Sequence, residues 1–323
     1  MMQDIFILIL PFLLLMLGFF LLTKGADLVI DGSINVAKKF NVSTLLIGLT
    51  IIALGTSLPE LVASVQAVVN NAPGLALGNI IGSNIANILL ILGAGAIISP
   101  IIIKKEQFKI DGYFLFLSTL LFSLLIYFNL LEYKYGYLMI GLLISFLIID
   151  YLRARKFGED KISLIDISEI ENIKISPTSN IFLKIIIGLS ILIIGAEILV
   201  TNAIKIAKTL EVSEEIIGLT MVAIGTSLPE LATVIVAAKK KETDLIIGNV
   251  VGSNIFNILG VIGVTSIITN IPVSDNILKF DLWIMIIVTG LFIFFIFNMN
   301  YIKRIIGLVF LILYIFYIII CYL

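Results

Sequence analysis

Two glutamates carry the chemistry this sequence could perform. Glu60 and Glu230 each lie inside a long apolar stretch, and each ends a Gly-Thr-Ser-Leu-Pro-Glu hexapeptide, at residues 55–60 and 225–230. A carboxylate at membrane depth costs at least about 2 kcal/mol. No Lys or Arg lies at similar depth in the surrounding segments, so a buried salt bridge does not explain the pair. Pro59 and Pro229 directly precede the glutamates and read as helix breaks. A proline removes a backbone donor and opposes the carbonyl four residues earlier. The freed carbonyls belong to Gly55 and Gly225, with Ala53 and Ala223 a little upstream. Thr56, Ser57, Thr226 and Ser227 add hydroxyls. Carbonyl, hydroxyl and carboxylate together make an all-oxygen cluster, which suits hard cations such as Na⁺, Ca²⁺, Mg²⁺ or Mn²⁺. Ser83 and Asn87, and again Ser253 and Asn257, are spaced i,i+4 and share a helix face, so they extend the same oxygen set. Asn79, Asn84, Asn249 and Asn254 read instead as interhelical hydrogen-bonding groups. Gly78, Gly82, Gly248 and Gly252 read as close-packing positions.

The charges suggest how such a cluster works. Two ionised glutamates carry −2, which one Ca²⁺ or two Na⁺ neutralises. Both sets together would leave +2 in a low dielectric, so their occupancy is mutually exclusive. Exclusive occupancy of one site is sufficient for antiport if the empty site cannot cross. A third Na⁺ on neutral oxygens would make each cycle move charge, at about 2.3 kcal/mol per charge per 100 mV.

Only a membrane protein can place these residues. The chain has 323 residues, 60% apolar and 13% charged, with a mean hydropathy of +1.19. Soluble domains are about 45–50% apolar and about 25% charged. There is no His, and Cys321 is the sole cysteine. Those two facts exclude an intrachain disulfide, a His-containing triad and His-ligated zinc or haem. A net charge of −1 gives no sign of nucleic-acid binding. No resident cofactor and no enzymatic activity are expected; the partners are ions and the lipid bilayer, with the monomer as the functional unit. The N-terminal run from Ile5 to Leu22 is too long for a cleavable signal and reads as a retained first span.

Apolar runs between short polar breaks predict ten transmembrane helices, at about 4–30, 43–70, 74–98, 107–129, 135–156, 179–205, 213–238, 244–270, 278–298 and 302–322. With the N-terminus outside, only Lys134, Lys205, Lys208 and Lys279 of the 21 basic residues fall on the external side. The other 17 are cytoplasmic, as the positive-inside rule requires. Both termini are therefore expected outside the cell membrane. Residues 48–93 and 218–263 align at a constant offset of 170 with 23 identities and no gap. The chain is a duplication. Residues 1–156 form a first five-helix unit, 157–178 a short cytoplasmic linker and 179–323 a second unit. Five spans is an odd number, so the second unit enters the membrane the other way round. That is the inverted-repeat plan of secondary transporters, with a site where interrupted helices meet near the midplane.

The duplicated GTSLPE and GSNI-x-N motifs, at 55–60, 82–87, 225–230 and 252–257, resemble the α-repeats of the sodium/calcium exchangers of the cation/Ca²⁺ antiporter superfamily. The resemblance covers nearly the whole chain and points to a compact prokaryotic-type member. It implies exchange of three Na⁺ per Ca²⁺ by alternating access. It implies that Glu60 and Glu230 are central ligands and that Thr56 and Thr226 offer backbone carbonyls to Ca²⁺. Ser57 and Ser227 line the sites. Ser83 with Ala53, and Ser253 with Ala223, form flanking Na⁺ sites around Asn87 and Asn257. The first and sixth segments would slide against the other eight. Some relatives carry Asp where this chain has Asn257; the amide argues against K⁺ dependence. The linker has no room for the calcium-sensing domains of eukaryotic members. The nearest competing reading is a Ca²⁺/H⁺ antiporter, whose usual first-repeat motif GN-x-x-E is absent. An intramembrane carboxylate-dyad hydrolase lacks its GxGD motif, and a channel is the third alternative.

Overall fold

In the computed structural model the described residues are 2–162, 178–209, 223–273 and 277–321, and nearly all of them are helical. Backbone polar groups have no water to bond in lipid, so apolar runs of this length close their hydrogen bonds internally as helices. The first half comprises α1 (Met2–Phe40), α2 (Thr44–Thr56), α3 (Leu58–Val69) and α4 (Pro73–Ile98). Strand β1 (Ile101–Ile102), α5 (Lys105–Tyr127) and α6 (Tyr133–Ile162) complete it. The second half comprises α7 (Thr178–Thr209), α8 (Ala223–Thr226), α9 (Leu228–Lys239), α10 (Thr243–Ile268), α11 (Ile277–Asn298), β2 (Tyr301–Ile302) and α12 (Arg304–Cys321).

Seven of these helices are long and apolar enough to cross a membrane. The pair α2 and α3, bent by 41° at Ser57, makes an eighth candidate. Arg304–Ile320 is a shorter apolar helix. The expected span over 213–238 lies partly outside the described residues, which resume at 223. Two boundaries differ from expectation. The first helix runs to Phe40, not to about 30, and spans about 58 Å at 1.5 Å per residue. Polar residues after Ile30 do not break a helix, and Lys38 and Lys39 suit its C-terminal end. It stops only at Asn41, which takes φ 51°. Likewise α6 continues to Ile162, into the expected linker, because charged residues such as those at 153–156 are good helix formers. The rest of the linker, 163–177, lies outside the described residues.

The core is built on α4 and α10. Of their most apolar stretches 78% and 94% are buried, against 22% for α1 and 28% for α7. The two outer helices pack on one another through glycines. A Cβ at Gly18 would lie 2.9 Å from the Gly195 carbonyl, and one at Gly25 would lie 2.8 Å from that of Gly188. Residue numbers rise on α1 as they fall on α7, so the pair is antiparallel.

The halves also exchange contacts. Ile101 and Ile102 of β1 pair antiparallel with Ile302 and Tyr301 of β2. At the positions 170 residues on from Ile101 and 170 back from Tyr301, Ile271 N–H donates to the Leu131 carbonyl at 3.0 Å. Gly93 lies against Gly307, and Gly263 against Gly136.

One buried ion cluster joins α5 to α6. Arg153 Nη1 lies 2.7 Å from Asp111 and 3.4 Å from Asp150, and Nη2 donates to the Gln107 carbonyl at 3.2 Å. The sequence placed Arg153 near the cytoplasmic end of the fifth span but gave no partner for it. Lysine cannot reproduce this fork. Arg153→Lys is expected to lower stability by roughly 1–2 kcal/mol, read as a reduced Tm of the purified protein in detergent. An unchanged Tm would show that the fork geometry contributes nothing.

Candidate ion-binding site

The two GTSLPE hexapeptides fold as broken helices. Ser57 has φ −84° and ψ 5°, and Ser227 has φ −87° and ψ 5°. At each of these residues one helix ends and the next begins. Pro59 and Pro229 sit in the first turn of α3 and α9, where their missing N–H is not needed. Glu60 and Glu230 follow in the same turn, 1% and 2% exposed. Ala53 is fully buried, and its carbonyl already accepts from Ser57 N–H at 3.0 Å, which leaves one lone pair. The side chain of Ala223 lies outside the description.

Each half bonds the carboxylate of the other. Ser57 Oγ donates to Glu230 Oε1 at 3.3 Å, and Ser227 Oγ donates to Glu60 Oε1 at 3.4 Å. Ser227 also lies 3.4 Å from Ser83 Oγ. Thr56 donates to the Ile52 carbonyl at 3.0 Å and to Asn249 Oδ1 at 3.3 Å, which also accepts from Ser253 at 3.3 Å. Thr226 donates to Asn79 Oδ1 at 3.4 Å. The two asparagines are held in turn. Asn249 Nδ2 donates to Thr233 at 3.1 Å, and Asn79 Nδ2 donates to Ser64 at 3.1 Å.

Asn87 and Asn257 sit where α4 and α10 widen into π turns, Asn87–Ile91 and Phe256–Val261. Such turns shift side chains off the regular α register and recur at functional sites. Both asparagines are buried.

The structure thus brings Ser57 to Glu230, Ser227 to Glu60 and Ser83, and Thr56 to Ser253 through Asn249. Four acceptors in this region have no hydrogen-bond partner: Glu60 Oε2, Glu230 Oε2, Asn87 Oδ1 and Asn257 Oδ1. Sequence reasoning missed Ser64 and Thr233, which are not repeat mates, since Ser64 corresponds to Val234. It also missed the ion pairs of Lys240 with Asp27 at 3.1 Å and Asp31 at 2.7 Å, and of Lys184 with Asp31 at 3.3 Å. Those pairs tie α1 to α7 and to the end of α9.

Among the described residues, the surroundings of matching glycines differ between the two halves. A Cβ at Gly248 would lie 2.7 Å from the Leu45 carbonyl and 3.0 Å from Gly48 Cα; one at Gly252 would lie 2.5 Å from the Leu49 carbonyl. Their repeat mates Gly78 and Gly82 meet nothing within 4 Å among the described residues. Asn249 is buried, whereas Asn79 is partly exposed.

Comparison with known proteins follows the same geometry. The family model described as sodium/calcium exchanger protein matches residues 10–152 and 180–323. An uncharacterized membrane protein of Methanocaldococcus jannaschii is 41% identical over 280 residues, covering 86% of this chain and 88% of its own length. The sodium/calcium exchanger MaX1 of Methanosarcina acetivorans is 30% identical, over 96% of this chain and 98% of its own. Among solved structures, the sodium-calcium exchanger NCX_Mj soaked with Na⁺ and Sr²⁺ superposes with a TM-score of 0.77. It is 36% identical and covers 96% of this chain and 98% of its own. The same exchanger soaked with Na⁺ and Ca²⁺ also gives 0.77. The duplicated broken helices, the crossed serine–glutamate bonds and this whole-chain match agree: the chain is a membrane protein of the sodium/calcium exchanger family.

Proposed function

We propose that the protein is an antiporter that exchanges Na⁺ for Ca²⁺ across the cell membrane by alternating access, with three Na⁺ for each Ca²⁺. One observation carries this reading: four buried oxygens, two carboxylate and two amide, are left without a donor. Buried acceptors are costly when bare, and carboxylate and amide oxygens are the ligands that hard cations take. On this reading Glu60 and Glu230 are the central ligands and Thr56 and Thr226 supply backbone carbonyls. Ser57 and Ser227 line the site, and Asn87 and Asn257 stand at its middle. Ser83 with Ala53, and Ser253 with Ala223, hold flanking Na⁺.

The chain would comprise ten spans as two five-helix inverted repeats, 1–156 and 179–323, with both termini outside. The antiparallel α1–α7 pair and the crossed contacts between halves support that plan. In this orientation the Gly48–Gly248 contact and the Lys240 ion pairs lie on the cytoplasmic side. Gly78 and Gly82 lie toward the outside. α1 and α7 are then held to the core at their inner ends.

The test is ⁴⁵Ca²⁺ uptake into proteoliposomes with an uncoupler present. Vesicles loaded with Na⁺ are expected to take up Ca²⁺, faster at an inside-positive potential because one net positive charge leaves per cycle. Uptake that follows a proton gradient and vanishes with the uncoupler would make the protein a Ca²⁺/H⁺ antiporter instead.

A further inference from the structure

Asn84 and Asn254 are buried in the core and face each other's halves. Asn87 Nδ2 donates to Asn254 Oδ1 at 2.9 Å, and Asn257 Nδ2 donates to Asn84 Oδ1 at 3.4 Å. The two bonds are related by the offset of 170, so the duplication reproduces them. A primary amide has one donor end and one acceptor end. Fixing the donor end of Asn87 on Asn254 leaves Asn87 Oδ1 buried and unpartnered on one side of the pair and Asn254 Nδ2 on the other; the same holds for Asn257 Oδ1 and Asn84 Nδ2. Turned the other way, each amide would aim two N–H dipoles where its free oxygen now stands, and a cation would be repelled.

We propose that Asn84 and Asn254 are positioning residues. Each comes from the opposite half and locks the amide of an ion-facing asparagine, Asn254 that of Asn87 and Asn84 that of Asn257, so that oxygen is presented to the cation. The inference rests on the reading of the cluster as the Na⁺ and Ca²⁺ site. It makes each half's ligand depend on the other half. Simple polar adhesion between helices would also bury these residues, but it would not depend on which asparagine stands opposite.

A double-mutant cycle separates the two. Asn254→Ala is expected to raise the Ca²⁺ concentration for half-maximal exchange about tenfold or more, the loss of an oriented bond to a charged group. In an Asn87→Ala background it should add less than about twofold, the scatter of independent sites. Asn84→Ala should couple in the same way to Asn257→Ala but not to Asn87→Ala, although Asn84 and Asn87 share a helix. Asn254→Asp, which keeps the acceptor, should retain the oxygen-out orientation and hence stronger Ca²⁺ binding than Asn254→Ala. If Asn254→Ala is not recovered folded, Asn254→Leu has the same branched shape without the acceptor and runs the same cycle. Equal effects of Asn254→Ala in both backgrounds, or coupling of Asn84 to Asn87, would overturn the proposal. Wild-type vesicles run in parallel keep the two ideas apart. No Na⁺-driven uptake in wild type defeats the exchange reading, whereas normal uptake with an additive cycle defeats only the positioning role.

Discussion

Exchange is expected to fall by at least about a thousandfold in Glu60→Gln and in Glu230→Gln. Glutamine matches glutamate in shape and keeps one acceptor oxygen, so packing survives. What changes is charge. Both carboxylates are buried, and each takes a bond from a serine of the other half. Ca²⁺ is neutral in a −2 site but leaves +1 in a −1 site. An uncompensated buried charge costs several kcal/mol, and about 4 kcal/mol is a thousandfold. The two positions should behave alike, because the crossed Ser57–Glu230 and Ser227–Glu60 bonds make them equivalent. Stability should hold or rise, since an unpaired buried carboxylate is removed. Initial rates of Na⁺-driven ⁴⁵Ca²⁺ uptake and a Tm for each variant check this. Full exchange by both variants would sink the assignment of the glutamates as ligands.

The site was legible to the extent that it depends on residue type. Glu60 and Glu230 stood out because carboxylates in apolar stretches need a reason. Pro59 and Pro229 marked the breaks one residue before them, and the break points proved to be Ser57 and Ser227. The spacing of Ser83 and Asn87 gave a shared helix face without any knowledge of the fold. Partner identity was not legible. That Ser57 would reach Glu230 rather than Glu60 depends on how two helices cross, which no local pattern encodes. The π turns at Asn87 and Asn257 have no sequence signal of their own. Asn84 and Asn254 were assigned to interhelical bonding, and they do bond between halves; which amide end each holds depends on atoms of the other repeat.

Helix limits were misread for a related reason. Hydropathy finds where a segment leaves the apolar layer, not where it stops being helical. Ser33, Asn35, Lys38 and Lys39 are polar yet remain helical, so α1 runs to Phe40. The partners of Arg153 were not legible because they differ in origin. Asp150 lies one turn away, but Asp111 lies on a different helix, 42 residues back.

Glycines at matching positions of the two halves are expected to respond in opposite ways to one substitution. Gly78 and Gly248 occupy the same place in the GN-x-x-GSNI segments. At Gly248 the atoms nearest an added Cβ are backbone: the Leu45 carbonyl at 2.7 Å, Gly48 Cα at 3.0 Å and Leu49 N at 3.0 Å. Backbone cannot swing aside, so Gly248→Val should separate α2 from α10 and cost about 1–3 kcal/mol of stability. Gly78 is exposed, and nothing among the described residues lies within 4 Å of its added Cβ. Gly78→Val should therefore leave the Tm of this conformation unchanged. In the alternating-access reading, the outer side closes by giving Gly78 a backbone contact of the kind that Gly248 now makes with Gly48. The valine penalty then falls on the closed state alone. The same 1–3 kcal/mol becomes a loss of about tenfold to a hundredfold in exchange rate. A folded protein that binds Ca²⁺ from outside but exchanges slowly is the expected phenotype. Wild-type exchange by Gly78→Val would show that the two halves do not trade conformations, whatever the fate of Gly248→Val.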